Sequence, residues 1–232
     1  MIHRNKMRIN KNIHSPSILF LFLAVFLINC SGNKSKQEKQ TPVKVITLKP
    51  VDGTYLFDGN TLNGWEVTQF GPQGPVDVYD GKIILNYGDG CTGVTWTKDF
   101  PKVNYEVNLE ARKTSGNDFF CGMTFPVNDE YCSLIVGGWG GPVVGLSCID
   151  GVDASENSTY ILKRFDKDVW YKIKLKVNDQ KIEAWIDGEK LVDFSYKGHE
   201  LYVRPEVELS KPFGICSWIT TAELRNILLK EN

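Results

Sequence analysis

The strongest constraint on this chain is a period of two. From Val103 to Arg112 the apolar residues Val103, Tyr105, Val107, Leu109 and Ala111 alternate with Asn104, Glu106, Asn108, Glu110 and Arg112. Val169, Tyr171, Ile173, Leu175 and Val177 then alternate with polar partners that include Lys172, Lys174 and Lys176, and Ile182, Ala184 and Ile186 repeat the pattern. Successive side chains of a strand point to opposite faces, so each run predicts a strand with one buried and one wetted side. No sustained helical period appears between Val43 and Asn232. Turn-forming residues punctuate the runs at Thr114 to Asn117, at the glycine-rich Gly137 to Gly141 with Pro142 behind it, at Asn178-Asp179 and at Asp187-Gly188. With 21 glycines, ten prolines and 12% aromatic residues, the pattern predicts an all-β, two-sheet antiparallel sandwich or jelly roll.

The amino terminus follows other rules. Residues 1–29 contain Arg4, Lys6, Arg8 and Lys11, no acid, and an apolar run from Ile18 to Ile28, the pattern of a bacterial export signal. The run is short for a membrane-spanning helix. Leu27-Ile28-Asn29-Cys30-Ser31 resembles a lipobox, in which Cys30 becomes the acylated first residue of the mature protein; an ordinary cleaved signal or an uncleaved anchor is the alternative. Acyl chains on Cys30 would hold the protein on a bacterial membrane, in the cell envelope. Residues 30–42 then form a lipidated cysteine with a polar, Lys-rich tether, too poor in apolar side chains to fold. The folded domain is expected over 43–232, long enough to bury roughly 70% of its unfolded surface around one core.

Charge and side-chain inventory exclude several functions. Four of the 27 Lys and Arg lie in the leader while all 28 Asp and Glu lie beyond it, so the exported part carries a formal charge of about −5. That disfavours nucleic acid as a partner, because phosphate contact needs a basic surface. Beyond the leader the only histidine is His199, which excludes multi-histidine zinc sites and leaves any Ser-His or Cys-His nucleophile dependent on one residue. Asp150, Asp153, Glu156 and Asn157 bring oxygen ligands together without the spacing of a calcium loop. Gly137 to Gly145 is not followed by a helix and is no phosphate cradle. Cys91, Cys121, Cys132, Cys148 and Cys216 form either two disulfides and a thiol, with Cys132 and Cys148 the first pair to consider, or five small apolar fillers.

Register gives a sharper expectation. A turn centred on Ser115 sets Leu109 against Cys121, Val107 against Met123 and Ala111 against Phe119. One centred on Gly140 sets Cys132 against Cys148, Leu134 against Leu146, Val136 against Val144 and Ser133 against Ser147. Placing Cys121 against Cys132 joins the two hairpins into four strands with consistent faces. One face is apolar. The other carries the row Glu110, Phe120, Ser133, Ser147, flanked by Asn108, Gly122 and Tyr131 on one side and Arg112, Asp118, Ile135 and Gly145 on the other. Small residues beside a carboxylate and aromatic rings make a trough suited to a sugar, although a solvated outer face with a surface ion pair has the same composition. Trp139, between glycines near Asn117 and Asp118, either stacks on sugar C–H groups or folds back as a loop anchor. Trp65, Trp170, Trp185 and Trp218 are expected in internal packing.

Leu56-Phe57-Asp58-Gly59-Asn60-Thr61-Leu62-Asn63-Gly64-Trp65 is similar to the start of the 3-keto-disaccharide hydrolase family. The resemblance continues in Tyr105-Glu106-Val107, Glu110-Ala111-Arg112, Trp170-Tyr171-Lys172-Ile173, Ile182 to Gly188, Gly214-Ile215 and Leu224-Arg225-Asn226-Ile227, nearly the whole exported domain. It implies a concanavalin A-like jelly roll, similar to the laminarinase group of glycoside hydrolases, with a carbohydrate-binding sheet face. There are departures. The family shows Asn-Ser-Gly, two apolar residues and an Arg, where this chain has Asn117-Asp118-Phe119-Phe120-Cys121-Gly122; a following Gly-Tyr-Glu element is matched only by Glu130-Tyr131. The paired acids of laminarinases, Glu-x-Asp-x-x-Glu, are absent, the nearest spacing being Asp150-x-x-Asp153-x-x-Glu156.

The chemistry the resemblance implies starts from a ketone at sugar C3, which acidifies the C2 hydrogen. A base removes it, the enediolate expels the C1 substituent, and water adds to the unsaturated sugar. One base and one stabiliser of the enolate oxygen suffice. Glu110 is the expected base and Arg112, or a divalent metal, the electrostatic partner; no organic cofactor is needed. Asn108, Asn117, Asp118, Phe120, Tyr131, Ser133, Trp139 and Ser147 are the expected substrate contacts, and a separate sugar 3-oxidoreductase would supply the ketone. The alternatives are a non-catalytic carbohydrate-binding lipoprotein, which the departures favour, and a structural or adhesive surface protein.

Overall fold

The computed structural model describes residues 45–231. The export signal, Cys30 and the tether up to residue 42 lie outside the described residues. In chain order the strands are β1 (Thr54–Tyr55), β2 (Trp65–Val67), β3 (Val76–Tyr79), β4 (Lys82–Leu85), β5 (Cys91–Trp96), β6 (Tyr105–Gly116), β7 (Cys121–Val127) and β8 (Glu130–Gly138). They continue with β9 (Val143–Ser147), β10 (Ile161–Leu162), β11 (Tyr171–Val177), β12 (Lys181–Ile186), β13 (Glu189–Ser195), β14 (Gly214–Trp218) and β15 (Thr220–Glu231), with one 3-10 turn at Pro205–Ser210 before β14.

The strands form two antiparallel sheets, as the alternation predicts. The first runs β13-β12-β11-β6-β15-β4-β3, with β1 on β15; the second runs β10-β9-β8-β7-β14-β5-β2. Between them lies one core. The apolar halves of the alternating runs, Tyr105, Val107, Leu109, Ala111, Ile173, Leu175, Val177, Ile182, Ala184 and Ile186, are all buried in it, together with Cys121, Met123, Cys132, Leu134, Val136 and Leu146 from the second sheet. Val169 stays outside, exposed ahead of β11. The turns at 178–179 and 187–188 close the hairpins β11–β12 and β12–β13. Asn178 Oδ1 accepts the Gln180 and Lys181 amides, and Asp187 and Gly188 take the two positive φ values that a tight hairpin turn of this hand requires.

The expected register holds in one hairpin and fails in the other. In β8–β9, Ser133 opposes Ser147, Leu134 opposes Leu146 and Val136 opposes Val144. Thr114 to Asn117, by contrast, is not a hairpin turn. β6 continues to Gly116 and is flanked on both edges, by β11 and by β15, so it has no free edge to offer β7. Residues 117–120 instead carry the chain across to the second sheet, where β7 pairs with β8 and β14. Cys121 therefore faces Val136, and Cys132 faces Phe125. Both Phe120 and Cys121 point into the core at this crossing, Phe120 against Phe165 and Tyr171 at ring distances of 5.2 and 5.9 Å.

All five cysteines among the described residues are buried free thiols. The chain leaves the β9 ladder after Ser147, so Cys148 turns to Asp153 and Ser147 and does not face Cys132. Trp65 is a core residue as expected, and Trp96 joins it there, but Trp170, Trp185 and Trp218 stand half-buried on outer faces.

Candidate functional site

The crossing divides the residues that the sequence placed in one row. Glu110, Arg112 and Asn108 lie on the outer face of the first sheet; Ser133 and Ser147 lie on the outer face of the second, with the whole core between. Phe120 belongs to neither face and contacts no solvent. The trough built from Glu110, Phe120, Ser133 and Ser147 does not exist as one surface, because strands adjacent in sequence belong to different sheets.

On the first sheet Glu110 and Arg112 are each matched by an opposite charge. Glu110 Oε2 accepts Arg225 Nε at 2.7 Å and Nη2 at 2.6 Å; Glu223 Oε2 accepts Arg112 Nε at 2.8 Å and Nη2 at 2.7 Å. Both guanidinium groups lie over Trp170, at 3.9 Å for Arg225 and 4.7 Å for Arg112. Asn108 Nδ2 donates to Glu106 Oε1. Glu110 is thus held through one carboxylate oxygen by two donors of Arg225, and neither it nor Arg112 can reach a sugar lying over Ser133 and Ser147.

The second sheet's outer face is built for close approach. Crossing it, one row reads Thr95, Gly214, Thr124, Ser133, Ser147 and the next Gly93, Cys216, Gly122, Ile135, Gly145. Alternation places these small side chains outward while their neighbours fill the core. The segments after β9 and before β14 fold over part of this face, leaving a pocket of about 250 Å³ lined by Asp118, Phe119, Ser133, Trp139, Ser147, Arg204, Glu206 and Trp218, among others. Sequence reasoning anticipated Asp118, Ser133, Trp139 and Ser147, and the fold brings these four together. Asn117 lies beside them, lining a shallow depression with Asp118, Gly140 and Trp218. Tyr131 packs in an outer cluster with Val203 and Val207 under Lys211, and does not line the pocket.

The carboxylates, the two serine hydroxyls and the guanidinium at the pocket each have a partner. Asp118 Oδ1 accepts the Phe119 amide at 2.8 Å and Oδ2 the Gly140 amide at 3.1 Å, which ties down the loop carrying Trp139. Trp139 lines the pocket and is 41% exposed. Ser147 Oγ and Cys148 Sγ donate to Asp153 Oδ1, whose other oxygen binds Arg204. Arg204 also binds Glu206 at 2.9 Å, holding the Glu206 carboxyl below its ordinary range against the opposing effect of partial burial. Burial acts on Cys148 in the same direction, and there it prevails and raises the thiol. Among the described residues no cluster of three or more His, Cys, Asp or Glu could hold a metal ion.

Phe119 explains the departure at Gly122. Its ring covers that glycine, and a Cβ there would lie 2.9 Å from Phe119 Cε2. Where the family pattern has an arginine, this pocket has an aromatic wall. Arg204, Glu206, Phe119 and Trp218 escaped the sequence reading. No periodic signal marks 204 and 206, which lie in and beside an irregular segment; Phe119 and Trp218 required the correct strand order.

A two-sheet jelly roll with a small-residue sheet face, aromatic rings and an arginine–carboxylate couple at one pocket defines a carbohydrate-active domain. The chain belongs to the 3-keto-α-glucoside-1,2-lyase-like domain family, whose model matches residues 52–230. Among solved structures it is similar to a candidate glycosyl hydrolase from Parabacteroides distasonis, at 17% identity over 78% of this chain and 94% of that one, with a TM-score of 0.50. It is also similar to the Crh5 transglycosylase in complex with NAG, at 14% identity over 78% of this chain and 84% of that one, with a TM-score of 0.54. At these identities the likeness establishes the fold. No curated protein matches the sequence.

Proposed function

We propose that the pocket on the second sheet binds a saccharide and eliminates the C1 substituent of 3-keto-glycosides, with hydration of the product. The observation that carries this reading is the convergence on one pocket of two exposed or half-exposed indoles, Trp139 and Trp218, with the Ser133 and Ser147 hydroxyls and the Arg204–Glu206 couple. Aromatic faces take the apolar side of a pyranose, and hydroxyls and charges take its polar edge. In this arrangement Glu206 is the base for the C2 proton and Arg204 holds the developing enolate oxygen, the two roles the chemistry requires. Glu206 takes the C2 proton, the C–H electrons form the enediolate, and their return expels the C1 oxygen, which leaves as the alcohol on receiving that proton; water then adds across the C1–C2 double bond, its hydroxyl to C1 and a proton to C2.

The assay is incubation with a 3-keto-disaccharide in deuterated water, following release of the 3-keto sugar and deuterium at its C2. Loss of both in Glu206→Gln and Arg204→Gln, with Glu110→Gln unaffected, is the expected result. Turnover that survives both pocket substitutions and dies with Glu110→Gln would move the chemistry to the other face.

A second reading, saccharide binding without turnover on a membrane-anchored lipoprotein, is favoured by one observation: each carboxylate at the pocket already has partners. Saturable binding of the 3-keto-disaccharide with no product and no deuterium uptake would select it. An acylated Cys30, seen by mass spectrometry of the protein from a membrane fraction, would establish the anchor.

A further inference from the structure

The first sheet carries a larger concavity that the proposed activity does not use. It is a groove of about 660 Å³, within the range of ligand sites. Its floor is a rung across five strands, Tyr55–Leu228–Asn108–Lys174–Trp185, fixed by the pairings β1–β15, β15–β6, β6–β11 and β11–β12. Four strand spacings make this rung roughly 19 Å long. Residues 46–49 form one bank and Gly188 the other end.

The charge of the groove is one-sided. Lys49, Lys172 and Lys174 line it, and its one lining acid, Glu110, is neutralised by Arg225. No carboxylate among the described residues pairs with the three ammonium groups, and Asp187 at the rim spends Oδ1 on the Lys172 amide. Lys174 Nζ sits 3.8 Å from the Trp185 ring centre, a cation–π contact that holds one ammonium in place. Asn108 and Asn226 add amide donors and acceptors, and Tyr55 adds an aromatic ring.

We infer that this groove is a second saccharide site, separate from the pocket on the other sheet, and that it takes an anionic oligosaccharide, one carrying carboxylate or ester-sulfate groups. The inference is independent of the proposed elimination. Length and aromatic content suit a chain of rings, and the uncompensated ammonium groups select for charge.

The test is calorimetric titration of the purified protein with trigalacturonate, with its fully methyl-esterified form and with a sulfated chondroitin disaccharide. Trigalacturonate or the sulfated sugar should bind at least tenfold more tightly than the neutral ester, and weaken as NaCl rises from 0.05 to 0.5 M. Lys172→Glu with Lys174→Glu should cost at least tenfold, Lys172→Gln with Lys174→Gln somewhat less, and Arg204→Gln nothing. These lysines are surface residues, and unchanged circular dichroism confirms the fold. Equal binding of charged and neutral sugars, or indifference to both lysine pairs, overturns the proposal. So does binding confined to vesicles of anionic lipid, which would make this face a membrane contact.

Discussion

Phe119 and Phe120 are neighbours in sequence and opposites in structure, and substituting each by alanine separates the two faces of the second sheet. Phe120 is fully buried and touches Phe165 and Tyr171, so truncation removes a whole core ring and leaves a cavity. Such changes cost about 3–5 kcal/mol. At about 2–4 °C per kcal/mol for a domain of this size, the melting temperature should fall by roughly 10 °C. Phe119 is half-buried and leans on Trp218 at 6.4 Å, so its truncation should cost about 1–2 kcal/mol, in proportion to the smaller area it covers. Urea unfolding followed by tryptophan fluorescence gives both values; sugar titration below the transition gives the other half. Phe120→Ala should bind saccharide within twofold of wild type, whereas Phe119→Ala should lose at least fivefold. A Phe120→Ala protein that keeps its stability within 1 kcal/mol and loses the sugar would refute the crossing at 117–120 and restore Phe120 to a binding face.

Three further outcomes follow from the same geometry. Gly122→Ala should destabilise by about 1–3 kcal/mol through overpacking, and Phe119→Leu should relieve most of that cost in a double-mutant cycle; additive losses would show that the ring is not the obstacle. The Glu206 carboxyl is held below its ordinary value of 4.5, so its bond to Arg204 is intact above that pH and is lost as pH falls through the depressed folded value. Saccharide affinity should therefore be flat from pH 8 to 5 and fall only below 4.5; a decline centred near neutrality would implicate another group. Burial pushes the Cys121 and Cys132 thiols up to about 12, so native protein at pH 8 should resist iodoacetamide at both positions while unfolded protein is alkylated at both, as read by peptide mass spectrometry.

What could be read from the sequence was local, and what could not was the order of strands. Tyr-Lys-Ile-Lys-Leu-Lys-Val fixes β11 and its buried face without reference to anything else, and the Gly137–Gly141 loop fixes the Ser133–Ser147 pairing because a hairpin's register follows from its turn. The stretch Thr114-Ser115-Gly116-Asn117 has the composition of a turn, yet β6 runs through Gly116 because Thr220 and Thr221, over a hundred residues away, pair with that end. Nothing within twenty residues of Gly116 reports that competition. The site inherited the error: Asp118, Ser133, Trp139 and Ser147 remained together since they lie on one side of the crossing, while Glu110 and Arg112 lie on the other. The same strand order explains the half-buried Trp170, which looked like packing and instead carries two guanidinium groups.

The last two strands are also the middle ones. β14 sits between β7 and β5, and β15 between β6 and β4, so each sheet consists of two blocks that meet only across its final segment. The two blocks of the second sheet cannot join until β14 (Gly214–Trp218) has left the ribosome, nor those of the first until β15 (Thr220–Glu231) has, and until then four edges stand open to one another and to other chains. Maturation should accordingly be slow and late, as for other β-rich proteins dominated by distant pairings. A stop codon between Phe213 and Ala222 would remove one or both of these joining strands and should yield an aggregating product rather than a smaller stable one.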